Sequence, residues 1–160
     1  QLVSVMAEGH DTAYIRVTRA DFPVFLDPPV SLEVGKAQKL LDGKDVTLIA
    51  TGSMVYESLQ VAQMLIATGK TVDFLNIHTI KPLDHESIVV SAQKTGKVVV
   101  IEEHNVEWGL GEALSEKHPT KLLKIGIQDT FAESGTHREL WMKYGLDRKV
   151  MLPKIEAWLG

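Results

Sequence analysis

Apolar positions along this chain fall into two alternating periods. "VTLIATG" (Val46 to Gly52) is a short, β-branched apolar run closed by glycine, the pattern of a strand covered on both faces. The next segment changes period. In "SMVYESLQVAQMLIATG", Val55, Leu59, Ala62, Leu65 and Ile66 recur at helical spacing, with Ser53 placed to cap the start and Gly69 to stop the helix. "TVDFLNI" predicts a second strand, after which Pro82 and Asp84 open a helix from about His85 to Thr95. "KVVVIEE" predicts a third strand, "WGLGEALSEKH" a helix ended by Pro119, and "KLLKIGI" a fourth strand. Thr136 and Glu139 have the T-x-x-E spacing of a capping box ahead of Leu140, Trp141 and Tyr144, and an amphipathic helix from Arg148 to Leu159 follows.

Strand and helix in alternation imply right-handed crossovers and a largely parallel sheet covered on both faces. The expectation is an α/β protein, a three-layer α/β/α domain on a five-stranded, mixed and mostly parallel sheet. The fifth strand would come from "SLEVGKAQKLLDGK", as an edge strand or hairpin before the parallel set. The beginning of the chain reads differently. "TAYIRVTR" is strand-like and carries two arginines, whereas "ADFPVFLDPPV" holds Pro23, Pro28 and Pro29. A Pro-Pro pair fits neither a helix interior nor a central strand. Residues 1–29 are therefore expected to be the end of a preceding domain with its linker, and residues 30–160 the independent core. The start at Gln1, without a methionine, fits the same picture of a piece of something longer.

Composition narrows the function classes. Apolar content of 44% and charged content of 24% over 160 residues are those of an ordinary globular protein. A net charge of −4 gives no electrostatic reason to expect nucleic acid or an anionic membrane. No cysteine is present, which removes disulfides and thiolate chemistry. Apolar runs such as Val98 to Ile101 are far too short to span a membrane, and the first residues lack the basic start and long apolar stretch of a signal peptide.

Candidate chemistry gathers at the carboxyl ends of the predicted strands, where open parallel sheets usually hold ligands. Glu102, Glu103 and His104 lie at such an end, with Gly52-Ser53, His78-Thr79 and Gly126 at others. A metal reading of the Glu-Glu-His run is weakened by strand geometry. Neighbouring side chains point to opposite faces, so Glu102 and His104 can share a face that Glu103 does not. No H-E-x-x-H or similar ligand spacing occurs among the six histidines. A phosphate-loop reading of "WGLGEAL" rests on Gly109 and Gly111 opening a helix. It lacks the full G-x-G-x-x-G and a lysine, and Glu112 in the first turn would repel an anion. The competing reading makes the two glycines turn and packing residues, with Glu112 favouring the helix dipole. Glu103 and His104 are read together as a hydrogen-bond network at a domain or subunit interface, with a catalytic pair as the competing reading. Arg16 and Arg19, three apart on the strand-like run, point to opposite faces. Arg19, just before the chain bends through Ala20 and Asp21, suits bidentate contact with a phosphate, and a solvated surface arginine is the ordinary alternative.

Four blocks, "VTLIATGSMVYESLQVAQML", "VDFLNIHTIKPLD", "VVVIEEHNVEWGLGEAL" and "DTFAESGTHRELWMKYGLD", resemble in order and spacing the C-terminal domain of transketolase. The preceding "AYIRVTRADFPVF" resembles the last strand of that family's pyrimidine-binding domain and its exit linker. The overall form is similar to bacterial split transketolases, whose halves are separate chains; this chain would be the end of the C-terminal half. The resemblance implies a cytoplasmic transferase of the pentose phosphate pathway. It would use thiamine diphosphate and a divalent metal, Mg or Ca, to move a two-carbon ketol unit between sugar phosphates. It also implies that no cofactor binds here, because neither the G-D-G motif with its asparagine nor the activating glutamate is present. The chain alone would be inactive, and its partners would be the N-terminal half and a second copy, as a homodimer or heterotetramer. One role carries over: Arg19 matches an arginine that binds the phosphate end of the substrate, with Arg16 a less secure match. Deoxyxylulose-phosphate synthase and the β subunit of a 2-oxo acid dehydrogenase are the related alternatives. An interaction module, for dimerisation or regulation, is the alternative of another class, and an apolar face left uncovered around Phe22, Phe25 and Leu26 would fit either view.

Overall fold

The computed structural model describes residues 2–9, 11–18, 21–26, 32–117 and 121–160. Its framework is one five-stranded sheet. The strands are β1 (Gln38–Leu41), β2 (Val46–Ala50), β3 (Val72–Asn76), β4 (Lys97–Asn105) and β5 (Lys121–Ile127), in the spatial order β1-β3-β2-β4-β5. Four strands run parallel and β1 pairs antiparallel with β3 at the edge, so the expected mixed, mostly parallel sheet is the one observed. The helices are α1 (Leu2–Ala7), α2 (Met54–Ala67), α3 (His85–Thr95), α4 (Leu110–Lys117), α5 (His137–Tyr144) and α6 (Arg148–Leu159).

Alternation along the strands divides the core into two. Leu48, Phe74, Val99, Ile101 and Ile125 face α2, α5 and α6, where Met54, Leu65, Trp141, Met151 and Ile155 complete one cluster. Ile49, Leu75, Val98 and Val100 face α3 and α4 and pack with Ile88, Ala92, Leu110 and Leu114. That arrangement is the three-layer sandwich. Every residue of β2 is buried, as the apolar run in its sequence requires of a central parallel strand.

Local chemistry fixes the ends of the helices. The Asp84 carboxylate caps α3 by accepting the N–H of Ser87, and it also accepts the N–H of Ala37. Burial pushes the Asp84 carboxyl up, but these hydrogen bonds outweigh it and hold the group below its usual range. Thr136 and Glu139 form a complete capping box on α5. Ser53 stands at the N-cap position of α2, but its hydroxyl makes no cap bond, contrary to the sequence expectation.

Two other expectations fail in the first thirty residues. Residues 12–18 of the strand-like "TAYIRVTR" belong to no strand. A strand needs a paired strand for its backbone N–H and C=O groups, and among the described residues none of the five strands pairs with this segment, in which Tyr14 and Val17 are exposed. The apolar face around Phe22 and Phe25 is not left uncovered. Phe22 meets His137 edge-on and Trp141 at a tilt, Phe25 lies tilted against Tyr56, and both pack against the α2-side core. The Pro28-Pro29 pair lies outside the described residues. Among those described, no helix is long and apolar enough to cross a membrane.

Candidate functional site

The strand order reverses at β2, which has β3 on one side and β4 on the other. The carboxyl ends of β2 and β4 therefore form the crevice where a sheet of this type holds a ligand. Here it is filled from within the chain. Glu102 is buried, and its two carboxylate oxygens accept the N–H groups of Leu110 at 2.8 Å and Gly111 at 2.9 Å. These are free donors at the start of α4, the position at which a phosphate could sit. Gly109 and Gly111 are required by that seat. A Cβ on Gly109 would fall 2.5 Å from a Glu102 carboxylate oxygen, and one on Gly111 would fall 2.9 Å from the Lys124 side chain. The glycines thus serve close packing around an internal anion. Glu112, in the first turn of α4, pairs with Lys124 and raises the affinity of that ammonium for its proton.

Glu103 faces the opposite layer, as strand alternation demands. Its Oε2 accepts the Ser53 hydroxyl at the start of α2, and its Oε1 accepts the indole N–H of Trp141 at 2.9 Å. His137 Nε2 lies 3.1 Å from the same Oε1. Phe22 then covers the His137 and Trp141 rings, with centroids 6.2 and 5.8 Å away. Two consecutive carboxylates on β4 thereby occupy the starts of two helices in different layers. Nothing in the sequence ties Glu103 to His137 and Trp141, which lie on another element more than thirty residues away. In the sequence Trp141 is legible only as one of the residues that follow a capping box.

The structure does not bring Glu103 and His104 together. His104 is exposed on the other face, and its Nδ1–H donates to the carbonyl of Asn105 at 2.8 Å. Gly126 packs under that turn, with no room for a Cβ beside the His104 carbonyl. His78 and Thr79 hydrogen-bond to each other at 2.9 Å, and burial pushes the His78 imidazole below its ordinary pKa, favouring its neutral form. Arg16 is exposed on the irregular segment, and Arg19 lies outside the described residues.

This donor set does not fit thiamine diphosphate. The two helix starts that could hold a diphosphate carry Glu102 and Glu103, whose charge would repel it. Among the described residues, no group of three or more His, Cys, Asp or Glu side chains is placed to hold a metal ion. What the arrangement can do is mechanical: it locks α2, α4, α5 and the incoming residues 21–26 to the end of β4.

Comparisons with known proteins agree with the architecture. The family model described as "Transketolase, C-terminal domain" matches residues 35–151. The chain is 38% identical to one of the subunits of the apulose-4-phosphate transketolase of Phocaeicola vulgatus, over 93% of this chain and 49% of that protein. It is 41% identical to the 6-deoxy-6-sulfo-D-fructose transketolase subunit SqwH of a Clostridium species, over 88% of this chain and 45% of that protein. The chain thus spans about half the length of these relatives. Similarity extends to the 1-deoxy-D-xylulose-5-phosphate synthase of Syntrophotalea carbinolica, at 35% identity over 83% of this chain and 22% of that enzyme. Among solved structures, a split-gene transketolase described as an inactive β4 tetramer superposes with a TM-score of 0.89 at 38% identity, over 99% of this chain and 53% of that one. With its fold, its matched residues and its relatives in agreement, this chain belongs to the transketolase C-terminal domain family.

Proposed function

We propose that this chain forms the C-terminal part of a split transketolase that moves two-carbon ketol units between sugar phosphates in the cytoplasm. Residues 1–29 are the end of the pyrimidine-binding domain and its linker, and residues 30–160 are the C-terminal domain. Thiamine diphosphate and Mg or Ca belong to the rest of the assembly, in particular to a companion chain carrying the G-D-G motif. The domain's own task is assembly: it joins further copies of the chain and the companion, and it holds the linker through the Glu103 cluster. Arg19, with Arg16 nearby, binds the phosphate end of the sugar.

One observation carries this reading. Relatives that the chain covers to only about half their length are themselves described as subunits of transketolases. The same observation favours it over a deoxyxylulose-phosphate synthase, of which the chain spans 22%.

Reconstitution tests it. Mixed with a G-D-G companion and the missing part of its own half, the chain restores ketol transfer, while calorimetry of the isolated chain detects no thiamine diphosphate. Clear cofactor binding by the chain alone would defeat the assignment. In the reconstituted enzyme, Arg19→Ala raises KM for phosphorylated sugars about 10- to 100-fold, as loss of a charge-assisted contact does. An unchanged KM would remove Arg19 from the substrate site.

A further inference from the structure

Residues 21–26 meet the domain through two aromatic pins of different chemistry. Phe25 lies against Tyr56, with ring centroids 5.3 Å apart. Phe22 lies against Trp141 at 5.8 Å and edge-on to His137 at 6.2 Å. Pro23 and Val24, between the pins, are exposed. Phenylalanine and tyrosine rings keep their charge between about pH 5 and 8, whereas histidine is the side chain that ordinarily changes it there. The two pins therefore differ in one respect: His137 belongs to the first and has no counterpart in the second.

The surroundings of His137 treat its two charge states unequally. Its Nε2 stands 3.1 Å from Glu103 Oε1, and its ring meets that of Trp141 nearly at right angles, 4.9 Å away. A cationic imidazole makes the bond to the carboxylate charge-assisted. In the neutral ring one N–H is shared between two possible positions, so that bond is weaker and not assured. The Trp141 and Phe22 rings add attraction for a cation through their quadrupoles. Two effects oppose the cation. The dipole of α5 disfavours positive charge at its first residue, which Glu139 in the same turn offsets. Phe22 also strips some water from the imidazole, but at 41% exposure the side chain stays hydrated. Among the described residues, Glu103 is the charged group paired with His137. Asp21 and Arg138, flanking the contact, are exposed and of opposite sign, the α2 side offers the Ser53 hydroxyl, and Glu133 is engaged by Lys143.

Building on the linker contact assigned above to the Glu103 cluster, we propose that His137 makes that contact a charge-dependent clasp. Its cationic form grips Phe22 against Trp141, and its neutral form releases Phe22 while Phe25 stays on Tyr56. The sign follows from linkage. The docked state favours the proton, so the grip is complete at the acid end of the histidine range and is lost as pH rises through it. Release moves the first anchored residue from Phe22 to Phe25, three positions along, and adds about 10 Å of extended chain to the tether. The clasp thereby sets how closely whatever precedes residue 21 is held to this domain.

The absence of cysteine supplies the test. Val24→Cys, at a side chain 92% exposed, carries a nitroxide spin label between the two pins, and Val90→Cys on α3, 58% exposed, carries a reference label. In the otherwise wild-type chain, the ratio of immobilised to mobile label at residue 24 is expected to fall about 3- to 10-fold from pH 5 to pH 8, the scale of an exposed ion pair joined to a cation–π contact. The label at residue 90 should not change. His137→Gln, which can donate to Glu103 without charge, is expected to abolish the pH dependence, and Phe22→Ala to leave the label mobile throughout. His137→Arg, a cation at every pH, should keep the label immobilised at pH 8, which a purely structural imidazole would not explain. A label immobilised equally at pH 5 and pH 8 would overturn the clasp and leave the docking of residues 21–26 standing. A label mobile at both would overturn the docking as well. A ratio that rises with pH, or a wild-type profile in H137Q, would remove His137 from the role.

Discussion

At the amino end of the sheet, Asp73 is fully buried and is met by Lys39 at 3.2 Å and Lys94 at 3.3 Å, with Ser91 donating to its other oxygen. At the carboxyl end, Glu102 is also buried but is held by two backbone N–H groups, and the nearby Lys124 gives its hydrogen bond to Glu112. One carboxylate is matched by lysine ammonium groups whose side chains are 45% and 33% exposed. The other is matched by fixed dipoles that cannot move away. The first site should respond to salt and acid, and the second to geometry.

Breaking the fixed site is expected to have the largest effect. Glu102→Ala leaves the buried Leu110 and Gly111 donors unpaired and should cost about 3 kcal/mol in urea unfolding, with no change between low and high salt. A loss under about 1 kcal/mol would mean that water replaces the carboxylate. Gly109→Ala attacks the same seat from the other side, because its Cβ would stand 2.5 Å from the carboxylate. It should cost about 2 kcal/mol, within the range for overpacking, and combined with E102A it should add much less than this, which a double-mutant cycle would read directly.

At the amino end, Asp73→Asn keeps the shape and removes the charge. A loss of about 1–2 kcal/mol in low salt is expected, shrinking in 1 M salt as the exposed lysine ends are screened. An effect independent of salt would make the two ends alike after all. The smallest expected effect is on pH dependence. Hydrogen bonds from Lys94 and Lys39 hold the Asp42 carboxyl at about 2, below its ordinary 3.8. A depressed carboxyl stabilises the folded state above its unfolded pKa, so this contribution is complete above about pH 4 and is lost as pH falls toward 2. Asp42→Asn should flatten the acid limb of the stability curve between those values.

Periodicity made most of the framework readable. The runs from Val46, Val72, Lys97 and Lys121 begin strands where the pattern places them, and His85–Thr95 and Arg148–Leu159 match the predicted helices. These segments carry their own instructions: apolar spacing, a cap and a stop. Residues 12–18 show the limit, because a strand is a property of two segments and alternation in one does not supply the other. The Ser53 hydroxyl shows a second limit. A cap position predicts that the hydroxyl accepts a local N–H, and here it makes no such bond and instead donates to a carboxylate on β4. The carboxyl edge was hardest to read. Glu102, Glu103 and His104 are one unbroken string in sequence, yet alternation sends their side chains to separate surroundings, and what each meets is decided by helices far along the chain. Trp108, whose φ is +64°, had no signal at all, since nothing in "NVEWGLG" announces a left-handed tryptophan.

The lysine anchors at the end of α6 carry a practical consequence. Lys97 donates to the Leu159 carbonyl, and Lys121 donates to that of Trp158 while its ammonium lies over the indole. Lys97 and Lys121 open β4 and β5, so the last turn of α6 is moored at the amino end of the sheet. Trp108 follows the far end of β4, about 25–30 Å away along the strand. A molecule tethered to a sensor chip through that last helical turn would therefore present the carboxyl edge of its sheet toward the flowing solution.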